Sequence, residues 1–194
     1  MKLESNQLAP VFAVPDIYGR LINLQEYQNK KILIGFFRHA GCPFCNLRVH
    51  ALTKIHQDMK AKGLEMIFFF ESKDSVLLRS SFHTGVSPIP LIGDPQKIWY
   101  DRYGLEASTT KASISHLSSF VQTAFKAASL KLPTHAMKDG ESFSTMPAEF
   151  LIEEGLRIKE VYYSDRLNDR MDISQIKAFA ELPAKPIVAN SSAS

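Results

Sequence analysis

The sequence predicts an α/β fold: a central mixed sheet covered by helices, with an N-terminal extension and a helix inserted before a late hairpin. Three observations carry that prediction. Short apolar runs rich in β-formers alternate with segments of helical periodicity, the pattern of a sheet flanked by helices. Two of those runs, Ile32–Phe37 and Leu64–Phe70, are apolar almost throughout, as in central strands covered on both faces. The two cysteines of the 194 residues stand together in Cys42-Pro43-Phe44-Cys45, soon after the first of these runs.

Along the chain, residues 8–30 read as short irregular or strand-like pieces, punctuated by Pro10, Pro15 and Gly19. After the strand at Ile32–Phe37, Pro43 suits the first turn of a helix, where a missing amide hydrogen costs least. Leu47, Ala51, Ile55 and Met59 recur at helical spacing and predict the buried face of that helix, with Arg48, Lys54, Asp58 and Lys62 toward water and an end near Gly63. The strand at Leu64–Phe70 is followed by helix-like sequence over 75–84, a strand over Ile89–Ile92 and a short helix over Gln96–Tyr103.

A long connection then needs structure of its own. Ile114, Leu117, Val121, Phe125 and Ala128 supply it as an inserted helix docking on the domain, or alternatively presenting an edge for oligomer contact, a homodimer included. Ala148–Ile152 and Lys159–Tyr163 predict an antiparallel hairpin through Glu153-Glu154-Gly155. Asp172 and Gln175 have the spacing of a capping box for a last helix with Ile173, Ile176, Phe179 and Ala180. Residues 1–183 thus read as one domain and residues 184–194, with Pro186 and the closing Ser191-Ser192-Ala193-Ser194, as a flexible tail.

Composition narrows the function classes. The chain is 45% hydrophobic and 22% charged, which fits a globular protein and not a disordered one. Its 23 basic and 20 acidic residues give a net charge of +3 without a block of like charge, so nothing points to a nucleic-acid partner. No apolar stretch reaches the length of a membrane span, and the start Met1-Lys2-Leu3-Glu4-Ser5-Asn6-Gln7 lacks the apolar run of a secretory signal. The expectation is a soluble protein without membrane attachment, cytoplasmic if the sequence is complete; a processed secreted protein would read the same way.

Two cysteines so close together cannot staple distant parts of the chain, because the loop they close is very short. Reversible redox chemistry explains them better. A cysteine at the junction of a strand and a helix N-terminus gains thiolate stabilisation from free amides and the helix dipole. Either exchange with a disulfide or attack on a peroxide then ends in a Cys42–Cys45 disulfide. Two buried, inert cysteines are the bland alternative. A zinc site is weaker, since it wants four ligands and only His39 and His50 could be recruited beside the pair.

Arg38, at the end of the preceding strand, is a candidate for stabilising a thiolate or orienting a peroxide oxygen, against the alternative of a solvent-facing arginine. Arg48, one turn into the helix, reads as a solvated residue that could instead close over the same pocket. His39 is a candidate for proton transfer. In the exchange reading Cys42 attacks and Cys45 resolves, because Cys42 comes first at the turn.

Ala9-Pro10-Val11-Phe12, Asp16, Gly19 and Leu24 before the first central strand, Ile89-Pro90-Leu91-Ile92-Gly93-Asp94-Pro95 with Tyr103-Gly104-Leu105, and Met146-Pro147-Ala148-Glu149-Phe150 resemble the peroxiredoxin-like alkyl hydroperoxide reductase and thiol-specific antioxidant family of the thioredoxin-fold superfamily. The resemblance spans roughly residues 8–180 and implies a thioredoxin-like fold. It also implies that Pro147 matches the cis-proline of thioredoxin-like reductases, facing the cysteine turn and shaping a substrate site with Pro43, Phe44 and His39. Where the family has a proline, a hydroxyl residue and its peroxidatic cysteine, this chain has Arg38, Cys42 and Cys45. On that match Cys45 attacks peroxide and Cys42 resolves, the reverse of the thioredoxin-like order.

The leading expectation is an enzyme, a thiol-dependent peroxidase acting on hydrogen peroxide or organic hydroperoxides through Cys42 and Cys45. A thiol-disulfide oxidoreductase and a redox-sensing interaction protein are the alternatives. Neither redox reaction needs a bound cofactor or metal. The implied partners are a peroxide or disulfide substrate and an external thiol or thioredoxin-like reductant.

Overall fold

The computed structural model describes residues 1–137 and 141–183, with the side chains of 114–120 excepted. The predicted tail, 184–194, lies outside the described residues. The main sheet has five strands in the order β5-β4-β3-β6-β7, formed by β3 (Lys31–Phe37), β4 (Leu64–Phe70), β5 (Leu91–Gly93), β6 (Ala148–Glu153) and β7 (Arg157–Tyr163). Strands β3, β4 and β5 run parallel, and β6 and β7 are antiparallel to their neighbours, so the sheet is mixed and the fold thioredoxin-like as predicted. The N-terminal extension forms a separate two-stranded ribbon, β1 (Ala13–Pro15) with β2 (Leu21–Asn23).

Every residue of β3 is buried because its two faces feed two cores. Leu33 and Phe37 pack with Met66, Phe68 and Phe70 of β4, with Val49, Leu52 and Met59 of the following helix α1 (Pro43–Ala61), and with Ile176 and Phe179 of the last helix. Ile32, Ile34 and Phe36 pack on the other side with Phe12, Leu24, Tyr100 and Tyr103. The period-two alternation of a strand thus does double service in one apolar run. Phe36 and Phe69, paired across β3 and β4, stack at 4.7 Å, a geometry that contributes roughly 0.5–1.5 kcal/mol beyond buried area. These contacts fix the C-terminal end of β3, from which the cysteine turn departs.

The helix predicted over 75–84 is two short helices, α2 (Asp74–Leu78) and α3 (Ser81–Thr84), because Ser80 turns its hydroxyl back to the His83 amide and caps a new start. Next come α4 (Ile98–Arg102) and α5 (Thr109–Ser129). The Asp172–Gln175 capping box forms and opens α6 (Ile173–Glu181).

Two predicted helix faces are corrected. The core side of α1 carries Cys45, Val49, Leu52, His56 and Met59, while Leu47, Ala51 and Ile55 sit half-buried at its flank. Arg48 is buried, not solvated: its guanidinium makes two 2.7 Å bonds to the Glu149 carboxylate of β6 and a third to the Met171 carbonyl at 2.8 Å. The inserted helix α5 packs against α1, with Ala112 and Ala127 buried, but Val121 and Phe125 are 81% and 78% exposed. Its apolar stripe therefore does not dock along its length; the side chains of Ile114 and Leu117 lie outside the described residues. Among the described residues no helix is long and apolar enough to cross a membrane.

Candidate active site

The turn between β3 and α1 carries both cysteines. Cys42 is the N-cap of α1 in an extended conformation and leaves its side chain out of the cap, while Pro43 takes the first helical position. The Cys42 amide donates to the His39 carbonyl at 3.0 Å and the Asn46 amide to the Cys42 carbonyl at 3.0 Å, so the turn is closed before the helix begins. Asn46 also clamps it sideways, its amide donating to the Ala40 carbonyl at 2.7 Å and to the Pro133 carbonyl at 2.8 Å. On the opposite flank the Ala40 amide donates to the Ser72 hydroxyl at 2.8 Å. Gly41 is required by contact: a Cβ there would stand 2.5 Å from the His135 carbonyl oxygen.

Both cysteines are free thiols, 1% and 0% exposed. The backbone amide of Arg38 donates to the Cys45 sulfur at 3.3 Å, and the Arg38 guanidinium reaches the Cys42 sulfur at 3.8 Å. A second guanidinium, Arg170 from the segment between β7 and α6, lies 4.0 Å from the Cys45 sulfur. Burial alone would raise the Cys42 thiol pKa. Hydrogen bonds from the Cys45 side chain and amide, with the charges of Arg38 and Arg170, outweigh it and bring Cys42 down to about 6. Cys45 is pushed up, by its own burial and then by its bonded, charged neighbour Cys42. The opposed shifts favour the thiolate at Cys42 and the neutral thiol at Cys45.

Arg38 is fully buried and not solvent-facing. Its guanidinium lies 5.6 Å from the Phe143 ring centre and donates to the Ser142 carbonyl at 3.5 Å. The segment carrying those two residues is held in turn by Glu71, whose buried carboxylate accepts from the Ser142 amide at 3.0 Å and pairs with Lys97 at 2.9 Å. Burial raises the Glu71 pKa against the opposing pull of Lys97, Arg38 and Ser142.

A cavity of about 640 Å³ opens on the turn. Arg38, His39, Cys42 and Pro43 line it, together with the apolar side chains of Ala124 and Ala128 of α5, Met137 and Phe143. Phe44 faces a second cavity of about 400 Å³, shared with Arg48, Lys126 and Arg170. Neither cavity is lined by Pro147. The cis peptide bond among the described residues is Ser87–Pro88, so the Met146–Pro147 bond is trans and the expected cis-proline at the cysteine turn is corrected. Pro147 instead offers its carbonyl to the Ser164 amide at 3.0 Å, joining β6 to the end of β7. Among the described residues no three His, Cys, Asp or Glu side chains gather as a metal site.

Arg170, Glu71, Ser142 and Phe143 escaped the sequence reading. Each lies in a strand end or irregular segment far along the chain from the cysteines, and no spacing rule connects such positions. Only the pairing of β3 with β4 and β6 brings them together.

Residues 5–161 match the model of the AhpC/TSA family. The chain belongs to the AhpC/TSA family. Among its relatives, a bcp peroxiredoxin homologue of Coxiella burnetii is 26% identical over 54% of this chain and 69% of its own. Peroxiredoxin Bcp of Escherichia coli strain K12 is 27% identical over 40% of this chain, and the match spans about half, 49%, of the relative. Two solved structures share the fold: a thiol:disulfide interchange protein DsbE from Chlorobium tepidum (TM-score 0.63, 17% identity, 93% of this chain and 99% of that one), and the thiol peroxidase from Chromobacterium violaceum (TM-score 0.61, 16% identity, 92% and 86%). AhpC/TSA membership places this protein among the thiol-redox enzymes of the peroxiredoxin and thioredoxin-like superfamily.

Proposed function

We propose that this AhpC/TSA protein reduces hydroperoxides with its Cys42–Cys45 dithiol, Cys42 attacking and Cys45 resolving. The observation that carries the reading is the Cys42 sulfur at the cavity wall, 3.8 Å from the Arg38 guanidinium, with a thiol pKa brought down to about 6. A thiolate is the nucleophile in this chemistry, and Cys42 is the cysteine that holds one at neutral pH.

The Cys42 thiolate attacks the terminal oxygen of the peroxide, the O–O bond breaks, and the leaving oxygen departs as water or an alcohol once protonated. Cys42 becomes a sulfenic acid. The Cys45 sulfur, hydrogen-bonded to Cys42 in the reduced protein, then displaces water and forms the disulfide. An external thiol or thioredoxin-like protein returns two electrons to that disulfide. Arg38 stabilises the thiolate and stands where the negative charge develops on the peroxide oxygens.

Stopped-flow reaction of the reduced protein with peroxide, followed by mass detection, tests the assignment. Cys45→Ser should react at the wild-type rate and accumulate a sulfenic acid on residue 42. Cys42→Ser should react no faster than free cysteine. A fast reaction retained by Cys42→Ser would hand the attack to Cys45, and a wild-type protein slower than free cysteine on peroxides but fast on disulfides would make the dithiol an exchange centre.

A further inference from the structure

Cleaving a peroxide needs a proton as well as an electron pair. Arg38 holds its proton too tightly to give one, and the Cys45 proton leaves with the water formed in the second step. We infer that His39 is the acid that protonates the leaving oxygen, and that Glu141 and Ser72 position it. This rests on the peroxide reading above and assigns the proton that reading requires.

His39 follows Arg38 in the cysteine turn, is almost wholly buried, and lines the same 640 Å³ cavity as the Cys42 sulfur. Its Nδ1 lies 3.7 Å from one oxygen of the Glu141 carboxylate, a side chain with no exposed surface. The other carboxylate oxygen accepts from the Ser72 hydroxyl, which accepts the Ala40 amide at 2.8 Å. A chain of polar contacts therefore leaves the turn at Ala40, passes through Ser72 and Glu141, and returns to the turn at His39. A buried carboxylate 3.7 Å from one ring nitrogen attracts the imidazolium that forms when the ring takes up a proton, the electrostatic support a proton-transferring histidine needs.

His135 lines the same cavity but is placed differently. Its Nδ1 is engaged with the carbonyl of its own neighbour, Ala136, at 2.8 Å on an exposed loop, and its ring centre stands 6.3 Å from that of His39.

The proton balance closes without another reactant. The Cys42 thiol passes its proton to His39, giving a thiolate beside an imidazolium. The thiolate takes the terminal OH of the hydroperoxide as a sulfenic acid, the O–O bond breaks, and the imidazolium gives its proton to the alkoxide. His39 is neutral again when Cys45 displaces water.

An acid matters only when the leaving group needs a proton, which sets the test. Reduced wild-type, His39→Gln and Glu141→Gln proteins, each shown to be folded by thermal melting, are reacted with tert-butyl hydroperoxide, which expels a basic alkoxide, and with peracetic acid, which expels acetate. His39→Gln should lose on the order of 100-fold on tert-butyl hydroperoxide and no more than about threefold on the peracid. The near-isosteric Glu141→Gln should shift the ratio the same way, by roughly tenfold. Equal losses on both oxidants in the two variants, or the same selectivity arising in His135→Gln instead, would overturn the assignment. A wild-type protein no faster than free cysteine on either oxidant would remove the peroxide reading and this inference with it.

Discussion

The Arg38 backbone and side chain address different cysteines: its amide donates to the Cys45 sulfur at 3.3 Å, and its guanidinium lies 3.8 Å from the Cys42 sulfur. One residue just past the end of β3 thus touches both thiols.

Replacing Arg38 with methionine should leave the amide bond to Cys45 and remove the charge near Cys42. The Cys42 pKa is expected to rise, and peroxide reduction at neutral pH to slow by roughly 10- to 100-fold as the thiolate fraction falls. Ultraviolet thiolate absorbance against pH, with stopped-flow rates on the same variant, checks both.

The pH dependence of alkylation follows from the opposed shifts. Cys42, lowered to about 6, is protonated below that pH and a thiolate above it, so its reaction with iodoacetamide should rise through about pH 6 and level off by neutrality. Cys45, pushed up, should stay protected until strongly alkaline pH. Peptide mapping of protein alkylated across this range separates the two.

Glu149→Ala should strand the buried Arg48 guanidinium beneath α1. An uncompensated buried charge costs about 3–5 kcal/mol, and replacing both members, Arg48→Met with Glu149→Leu, should recover most of it. Urea denaturation of the single and double variants measures the difference.

Gly41→Ala should force the His135 backbone away from the cysteine turn, because the new Cβ would stand 2.5 Å from its carbonyl oxygen. Overpacking of this kind costs about 1–3 kcal/mol. A lower melting temperature together with faster alkylation of Cys42 is the expected pair of results.

The sheet and the cysteine turn were legible because they rest on local rules: two apolar runs, a Pro at the start of a helix, and a capping box that forms as spaced. Arg48 was misread because its neighbours on the helix say nothing of Glu149, which reaches it only when β6 pairs with β3. The α5 stripe reads as a docked face or as an edge for oligomer contact, because periodicity marks an apolar face without saying what covers it; Val121 and Phe125 are exposed and do not dock on the domain. Pro147 followed a family likeness whose local geometry this chain does not share. Arg170 and Glu71 carry charge to the site from segments with no periodicity.

The ladder of β3 with β6 has one further consequence. It joins residues on either side of the long inserted segment, and the loop holding Phe143 over Arg38 and the segment delivering Arg170 take their places only around that ladder. The surroundings of the cysteine turn are therefore assembled from both ends of the chain, and Phe143 and Arg170 reach it only once β6 has paired with β3.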